Sequence, residues 1–433
     1  MVHFFQVKTT EWDNVVKQGL KIFQLMAFKK TCFRLSLGLI ILAGAVYSCS
    51  RDDKPDYDYF IGKESAGEYT EEYISGVLSF AAQSFPGLSD LEAYMSGGVK
   101  VYRITYRSVV KGRTVEVSGL VSVPATPGEY PVLSFQNGTN TLNSECPSEN
   151  PAGYSFQLLE FVASMGFVVV IPDYPGFGSS SDIPHPYLIK VPTNEAVIRM
   201  IQAVSEAENE FEGISVKNEC YLIGYSQGGL ATFNIHTDLE LGYSSYGLNL
   251  IGSVCGAGPY DLSKMVSEMA SAQSYPVPAY IGYIINAYTY YGYIENSVDE
   301  LLNEPYASKL SQLYDGNHSI SEINSALTTS IPDLLTDDFR TNLHYADYTS
   351  VTSSLVYNSA YAYKSEIPIL FVHGDADTQV SVSNTEDLYN LMILNGTSEE
   401  ICKKKILPGL DHGDAVAPFM VEGLKFILNL RQN

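Results

Sequence analysis

The sequence has few of the features that bind metals, nucleotides or nucleic acids. Its six cysteines form no CxxC pair, and no HExxH segment occurs, so neither a structural zinc site nor a zinc protease is predicted. The glycine-rich segment Asp173–Ser179 lacks the GxGxxG spacing of dinucleotide-binding loops. Lys and Arg number 26 against 49 Asp and Glu, a net charge of −23 that repels nucleic-acid phosphates. We therefore expect no cofactor, no metal and no nucleic-acid partner.

The N-terminal region resembles the signal of a bacterial lipoprotein. Lys29, Lys30 and Arg34 precede the apolar run Leu35–Tyr47, which is too short for a comfortable transmembrane helix, and Cys49 follows it. We predict a signal peptide over residues 1–48, with Cys49 as the lipidated first residue of the mature chain. The first 25 residues fit no part of such a signal, so Met26 is a better start than Met1.

The residues after Cys49 suggest where the protein resides. Ser50-Arg51-Asp52-Asp53 resembles the acidic signal that directs lipoproteins of some Gram-negative lineages to the outer surface. Residues 49–70 are mostly polar and are predicted to form a tether. The expected location is the outer membrane or cell surface, where the lipid anchor alone contacts the membrane.

Residues 71–433 show the alternation of an α/β protein. Two alternating segments, 99–110 and 114–123, predict a hairpin, and later apolar strands alternate with helices. Continuous apolar strands are buried on both faces, so the pattern predicts a mostly parallel, doubly wound sheet. Residues 260–363 interrupt the alternation after the sixth predicted strand. They read as helices and loops, and we predict a helical cap above the sheet.

The clearest chemical motif is a GxSxG elbow at Ser226. It follows a predicted strand, Glu219–Ile223, and opens a helix, which is the context that this motif requires. Glycines at both flanks allow the tight turn that exposes the serine hydroxyl. The amide of Gln227, at the start of the helix, is placed to donate to an oxyanion. Ser226 is the predicted nucleophile.

Two further motifs complete a serine–aspartate–histidine order. His373-Gly374-Asp375-Ala376-Asp377 follows a late apolar strand, and active-site groups of open α/β sheets gather at such strand ends. The recurrent HG-x-x-D pattern selects Asp377, with Asp375 as the alternative and His373 as a structural residue. His412 lies after the last strand with glycines nearby, and is the predicted general base, oriented by Asp377.

A second oxyanion donor is expected from the loop after the third predicted strand, Gln136–Asn140. A backbone N–H of Gly138 or Thr139 is the candidate; an ordinary glycine turn is the alternative.

These motifs together resemble the secretory lipase type of α/β-hydrolases and related bacterial esterases. The resemblance extends over residues 99–433 and includes Phe135–Thr139, Asp173–Gly178 and the GYSQGG elbow. It implies an α/β-hydrolase fold with a helical cap, hydrolysis of small carboxylic esters and a Ser226–His412–Asp377 triad. Asn137 stands where such proteins often have histidine.

Two other classes of function remain open. A serine peptidase of the prolyl-oligopeptidase type has a similar elbow, but an N-terminal propeller does not fit into the short segment before the first strand. A non-catalytic binding lipoprotein on a hydrolase scaffold is the third class. All three triad members are present, which disfavours it.

Tyrosines are concentrated in the predicted cap. The segment Tyr275–Tyr293 contains seven of them. They either pack the cap onto the sheet or line a pocket for an acyl or aromatic group, since tyrosine combines apolar area with a hydroxyl.

Overall fold

The computed structural model describes residues 56–432 except Ser84 and residues 243–245. The predicted signal peptide, the lipidated Cys49 and the first part of the predicted tether lie outside the described residues. Residues 56–432 belong to one compact unit.

A nine-stranded sheet forms the centre of this unit, with the order β1-β2-β3-β5-β4-β6-β7-β8-β9. The strands from β4 to β9 that neighbour one another are parallel, whereas β1, β2 and β3 pair antiparallel at one side, as does β3 with β5. The sheet is therefore mostly parallel and has the architecture predicted from the sequence. The strands are β1 Phe60–Tyr69, β2 Val99–Val110, β3 Arg113–Pro124, β4 Gly128–Gln136, β5 Val168–Pro172, β6 Ile214–Tyr225, β7 Asn249–Gly256, β8 Ile369–Gly374 and β9 Cys402–Leu407.

Part of the predicted tether is a strand of the sheet, β1. Residues 60–69 pair antiparallel with β2, so the prediction of a tether up to residue 70, with the domain starting at 71, is wrong for this part. The segment is polar because it is an edge strand with little buried surface, and its composition therefore resembles a linker. The carboxylate of Glu206 fixes its start by accepting the backbone N–H groups of Asp58, Tyr59 and Phe60 at 3.0, 2.6 and 2.5 Å.

Helices cover both faces of the sheet. Outside the β7–β8 connection they are α1 Glu71–Ala81, α2 Ser89–Glu92, α3 Tyr154–Glu160, α4 Lys190–Glu206, α5 Gln227–Leu241, α14 Ser383–Leu394 and α15 Val416–Gln432. Apolar residues of α1, α3 and α15 pack on one face, and those of α4 pack on the other. The buried strands, such as the fully buried β5, are apolar throughout because both their faces are covered.

The long connection between β7 and β8 is helical, as expected from its sequence. Because β1 adds a strand, this insertion follows the seventh strand rather than the sixth. Its helices are α6 Leu262–Ser271, α7 Pro278–Tyr291, α8 Val298–Leu301, α9 Tyr306–Leu313, α10 Ile320–Ala326, α11 Ile331–Leu334, α12 Asp337–Asn342 and α13 Thr349–Asn358. Their apolar side chains pack in one hydrophobic core with residues of β7 and β8, such as Cys255 and Phe371.

The cysteines in the described part of the chain are not cross-linked. Cys146, Cys220, Cys255 and Cys402 are all buried free thiols, so no disulfide forms among them. None of the helices in the described part of the chain combines the length and the hydropathy that crossing a bilayer requires.

Candidate active site

Ser226 lies in a strained turn between β6 and α5. Its φ is +59°, a region that non-glycine residues rarely adopt, and its N–H donates to the carbonyl of Gly256 at 2.9 Å. A Cβ at Gly228 would lie 1.9 Å from the carbonyl oxygen of Gln136, and one at Gly224 would lie 2.4 Å from the carbonyl of Gly228. Both positions therefore require glycine, and the tight turn leaves the Ser226 side chain only partly buried.

The three residues predicted for catalysis are joined by hydrogen bonds. Ser226 Oγ lies 2.9 Å from Nε2 of His412, and Nδ1 of His412 lies 2.5 Å from Oδ2 of Asp377. His412 follows β9, and its backbone carbonyl accepts the hydroxyl of Tyr225 at 2.8 Å. The imidazole thus bridges a hydroxyl and a carboxylate from two other segments of the chain.

Asp377 is held as an anion by its surroundings. Burial would raise the pKa of this carboxyl, but hydrogen bonds with His373 and His412 outweigh burial and hold the pKa well below its usual range. Oδ1 accepts the backbone N–H groups of Gln379 and Val380, both at 2.9 Å. His373 is fully buried, 3.2 Å from Oδ2 and 2.7 Å from the hydroxyl of Thr385, and so supports the acid rather than contacting Ser226.

Asp375 occupies a different place. Its side chain is exposed, and Oδ1 accepts the N–H of Gly409 at 2.6 Å, so it ties the β8 turn to the loop before His412. It makes no hydrogen bond to either histidine in the described structure. Asp377, and not Asp375, therefore lies against His412.

The loop after β4 lies beside the serine. A Cβ at Gly138 would lie 3.9 Å from Ser226 Cβ, which places the backbone of Gly138 next to Ser226. Asn137 donates through its side-chain amide to the carbonyl of Pro172 at 2.7 Å, and the hydroxyls of Thr139 and Tyr187 are 3.0 Å apart. These contacts fix the loop against the ends of β5 and the following segment.

This arrangement has known counterparts. The family model of secretory lipases matches residues 153–410, which is more than half of the chain. The chain belongs to the secretory lipase family. It is a lipase- or esterase-type hydrolase, and the family points to a secreted protein. No match was found among curated proteins.

Solved structures share the fold of this family member. A protein from Legionella pneumophila described as a hydrolase has a TM-score of 0.77 and 23% identity, and the alignment covers 87% of this chain and 99% of that one. LipA, a rice cell wall degrading esterase from Xanthomonas oryzae, has a TM-score of 0.72 and 22% identity, over 86% and 97%. Candida antarctica lipase A in its closed state has a TM-score of 0.62 and 16% identity, over 86% and 81%.

His185 is a residue of the site that sequence reasoning missed. Its Nδ1 lies 2.8 Å from the carbonyl of Pro175, so Nδ1 carries the proton and Nε2 accepts the side-chain amide of Gln227 at 2.8 Å. Burial lowers the pKa of His185 to about 4, which keeps the ring neutral. It sits between two prolines in a loop far from the motifs, so the sequence offers no signal for it. The ring therefore holds the residue that follows Ser226.

A cavity of about 650 Å³ opens next to these groups. Its lining includes the loop residues Gly138 and Thr139, polar side chains such as those of Asn137, Asp173 and His185, and apolar side chains of helices on one face of the sheet. Its volume lies within the range of pockets for small organic ligands. Among the described residues, no group of His, Cys, Asp and Glu side chains is arranged to hold a metal ion.

The tyrosines of the insertion lie elsewhere. Tyr283 and Tyr288 are buried in the core that the insertion shares with the sheet, and the ring of Tyr283 stacks on Tyr187 with centroids 4.3 Å apart. Tyr275 and Tyr280 donate to the backbone and side-chain oxygens of Gln379, close to Asp377. None of the seven tyrosines lines the 650 Å³ cavity. Most of them therefore pack the insertion onto the domain.

Proposed function

We propose that this protein hydrolyses carboxylic esters through an acyl-enzyme formed on Ser226. The observation that carries the proposal is the continuous hydrogen-bonded chain Ser226–His412–Asp377 beside a cavity. A serine hydroxyl is a weak nucleophile at its free pKa, and a neutral imidazole 2.9 Å away is the group that activates it.

The reaction then proceeds in two halves. Oγ of Ser226 attacks the ester carbonyl carbon while Nε2 of His412 accepts the hydroxyl proton. The tetrahedral intermediate expels the alcohol, which takes that proton from His412, and leaves the acyl-enzyme. A water molecule then attacks the acyl carbon while His412 accepts a proton from it. The acyl–Oγ bond breaks, the carboxylic acid is released, and Ser226 recovers the proton from His412. Asp377 remains ionised and stabilises the imidazolium that forms in each half.

The negative charge on the carbonyl oxygen needs donors that are already oriented. We assign the N–H of Gln227 and the N–H of Gly138 or Thr139 to this role. Within the described residues these N–H groups donate no other hydrogen bond, so they are available to a ligand. The first one also lies at the start of α5, where the helix dipole favours negative charge. Asn137 supports the loop through Pro172 instead of approaching the nucleophile.

A panel of substrates tests this function. We expect turnover of p-nitrophenyl esters by the wild-type protein and a loss of ~10⁴-fold or more in kcat for Ser226→Ala and for His412→Ala, because triad members act as a unit. The fold of each variant is checked by circular dichroism. Cleavage of proline-containing peptides with no ester turnover would instead support the peptidase class. Ligand binding without any turnover would support a binding scaffold.

The site of action is also proposed. The basic–apolar–Cys49 order supports a lipid anchor on the secreted protein, which would hold the domain at the outer membrane or cell surface. The acidic body does not itself favour an anionic membrane surface, so attachment rests on the lipid.

A further inference from the structure

The loop that carries the proposed second oxyanion donor, residues 136–140, is held on both sides. On the upstream side, the side-chain amide of Asn137 donates to the carbonyl of Pro172 at 2.7 Å, and the hydroxyl of Tyr174 donates to the carbonyl of Asn137 at 3.2 Å. Both partners lie at or just after the end of β5. The candidate donors Gly138 and Thr139 follow, and the contacts beyond them come from another part of the chain.

The downstream side of this oxyanion loop is held by the helical insertion between β7 and β8. The hydroxyl of Tyr283, on α7, donates to the carbonyl of Asn140 at 3.1 Å. Just beyond the loop, the N–H of Asn143 donates to the carbonyl of Gly316 at 2.8 Å. Both partners are far away in the sequence, so the position of the insertion on the domain sets this end of the loop.

Tyr283 also acts on the loop through a second tyrosine. Its ring stacks on that of Tyr187 with centroids 4.3 Å apart, and the hydroxyl oxygens of Tyr187 and Thr139 are 3.0 Å apart. Both tyrosines are buried, and burial raises the pKa of both hydroxyls, so each keeps its proton near neutral pH. A buried hydroxyl without a partner is costly, so both hydroxyls favour the observed position of the loop.

Neither tyrosine lines the 650 Å³ cavity beside Ser226, whereas residues 137–140 all do. The two rings therefore hold the loop from the side away from the cavity. Stabilisation of an oxyanion depends on N–H groups that are oriented before the reaction, and a displaced donor loses much of its effect. We propose that Tyr283 is a positioning residue, through which the insertion holds the oxyanion loop in place for catalysis. This inference rests on the proposed function.

Tyr288 is the matched control, because it lies on the same helix and makes the same kind of hydrogen bond. Its hydroxyl donates to the carbonyl of Leu188 at 3.0 Å, and its side chain is fully buried. In the described part of the chain it makes no hydrogen bond with the oxyanion loop. Tyr283→Phe and Tyr288→Phe each remove one hydroxyl and keep the ring, so similar small losses of thermal stability are expected.

The first measurement is kcat and KM for p-nitrophenyl butyrate. Tyr283→Phe should lower kcat about tenfold, less than the ~10²–10³-fold loss for removal of a whole oxyanion donor, because the donor is displaced and not deleted. KM should stay within about twofold of wild type, since neither tyrosine lines the cavity. Tyr288→Phe should keep both constants within the same range. Equal losses of kcat in the two variants would overturn the proposal.

The second measurement uses an inhibitor that needs the oxyanion donors. When a trifluoromethyl ketone binds, Oγ of Ser226 adds to its carbonyl carbon, the hydroxyl proton passes to His412, and negative charge stays on the former carbonyl oxygen. Its inhibition constant should rise about tenfold in Tyr283→Phe and stay unchanged in Tyr288→Phe. The methyl ketone of the same chain length, which does not form this adduct readily, should bind all three proteins equally. An unchanged constant for the trifluoromethyl ketone in Tyr283→Phe would refute the positioning role.

A third measurement separates failure of the proposal from failure of the proposed function. If wild type hydrolyses no ester, the function is wrong, and the loop is then followed by hydrogen–deuterium exchange alone. The peptide over residues 137–146, in which the N–H groups of Leu142 and Asn143 are hydrogen-bonded, should exchange faster in Tyr283→Phe and at the wild-type rate in Tyr288→Phe. Equal exchange in all three proteins would refute the positioning of the loop whatever the activity. Faster exchange with unchanged kcat would refute its part in catalysis.

Discussion

Asp377→Asn should abolish most activity while leaving the fold intact, and the reason lies in the two oxygens of this carboxylate. Oδ1 accepts two backbone N–H groups, from Gln379 and Val380, so the oxygen of an asparagine must remain on that side. Its NH₂ group then faces Nδ1 of His412, where Oδ2 lies 2.5 Å away in the wild type. Two donors cannot share this contact, so the imidazole moves its proton to Nε2 and can no longer accept one from Ser226.

The magnitude follows from that change of tautomer. Aspartate-to-asparagine substitution in another serine hydrolase triad lowers kcat about 10⁴-fold, equivalent to ~5.5 kcal/mol of transition-state stabilisation, and we expect a similar loss here. Asp375→Asn is the matched control. Its Oδ1 can still accept the N–H of Gly409, so kcat should stay within about threefold of wild type.

The assay is steady-state hydrolysis of a p-nitrophenyl ester by both variants, with thermal unfolding measured in parallel. A larger loss for Asp375→Asn would show that the acid is misassigned. A loss below tenfold for Asp377→Asn, with an unchanged melting temperature, would refute the argument from the tautomer.

Three further predictions concern anchoring and stability. Cys49→Ala should leave the protein unlipidated and move it from the membrane fraction to the soluble fraction; unchanged membrane association would contradict the anchor. Glu160 is buried, and burial raises its pKa from 4.5 to about 8 against the opposing effect of the Tyr69 hydroxyl. The folded state thus keeps a proton that the unfolded state releases, so stability should fall as pH rises from about 5 to 8, by at most about 5 kcal/mol, and the Glu160→Gln melting curve should lack this fall. Glu206→Ala should lower the free energy of unfolding by about 2 kcal/mol in urea, because three N–H groups at the start of β1 lose their acceptor; an unchanged midpoint would refute this role.

Local patterns predicted the centre of the fold and missed its edge. The strands β5 and β8 are apolar throughout, and the β2–β3 hairpin alternates, so the sequence identified them. The edge strand β1 contains lysine, glutamates and glycines and buries only one of its ten residues. Its existence depends on pairing with β2 and on Glu206, which is 137 or more residues away from any part of β1. No local pattern contains that information.

At the candidate site, too, local motifs indicated some residues, whereas others depend on contacts between distant parts of the chain. Ser226, Asp377 and His412 sit in turns whose residue types are demanded by the chemistry, so the motifs and their order indicated each of them. His185 acts through one hydrogen bond to Gln227, and a histidine between prolines has no motif that signals this role. The cavity beside Gly138 was not predicted either. It arises because α1, α3 and α15 converge on one face of the sheet, and the tyrosine-rich insertion, which was the most conspicuous candidate, packs elsewhere.

Covalent labelling tests directly whether Ser226 is the nucleophile. The protein is treated with a fluorophosphonate probe, digested, and the modified peptide is identified by mass spectrometry. We predict one labelled serine, Ser226, with no labelling in Ser226→Ala and greatly slowed labelling in His412→Ala, whose side chain no longer accepts the proton of Oγ. Labelling of another serine, or equal labelling of wild type and Ser226→Ala, would contradict it.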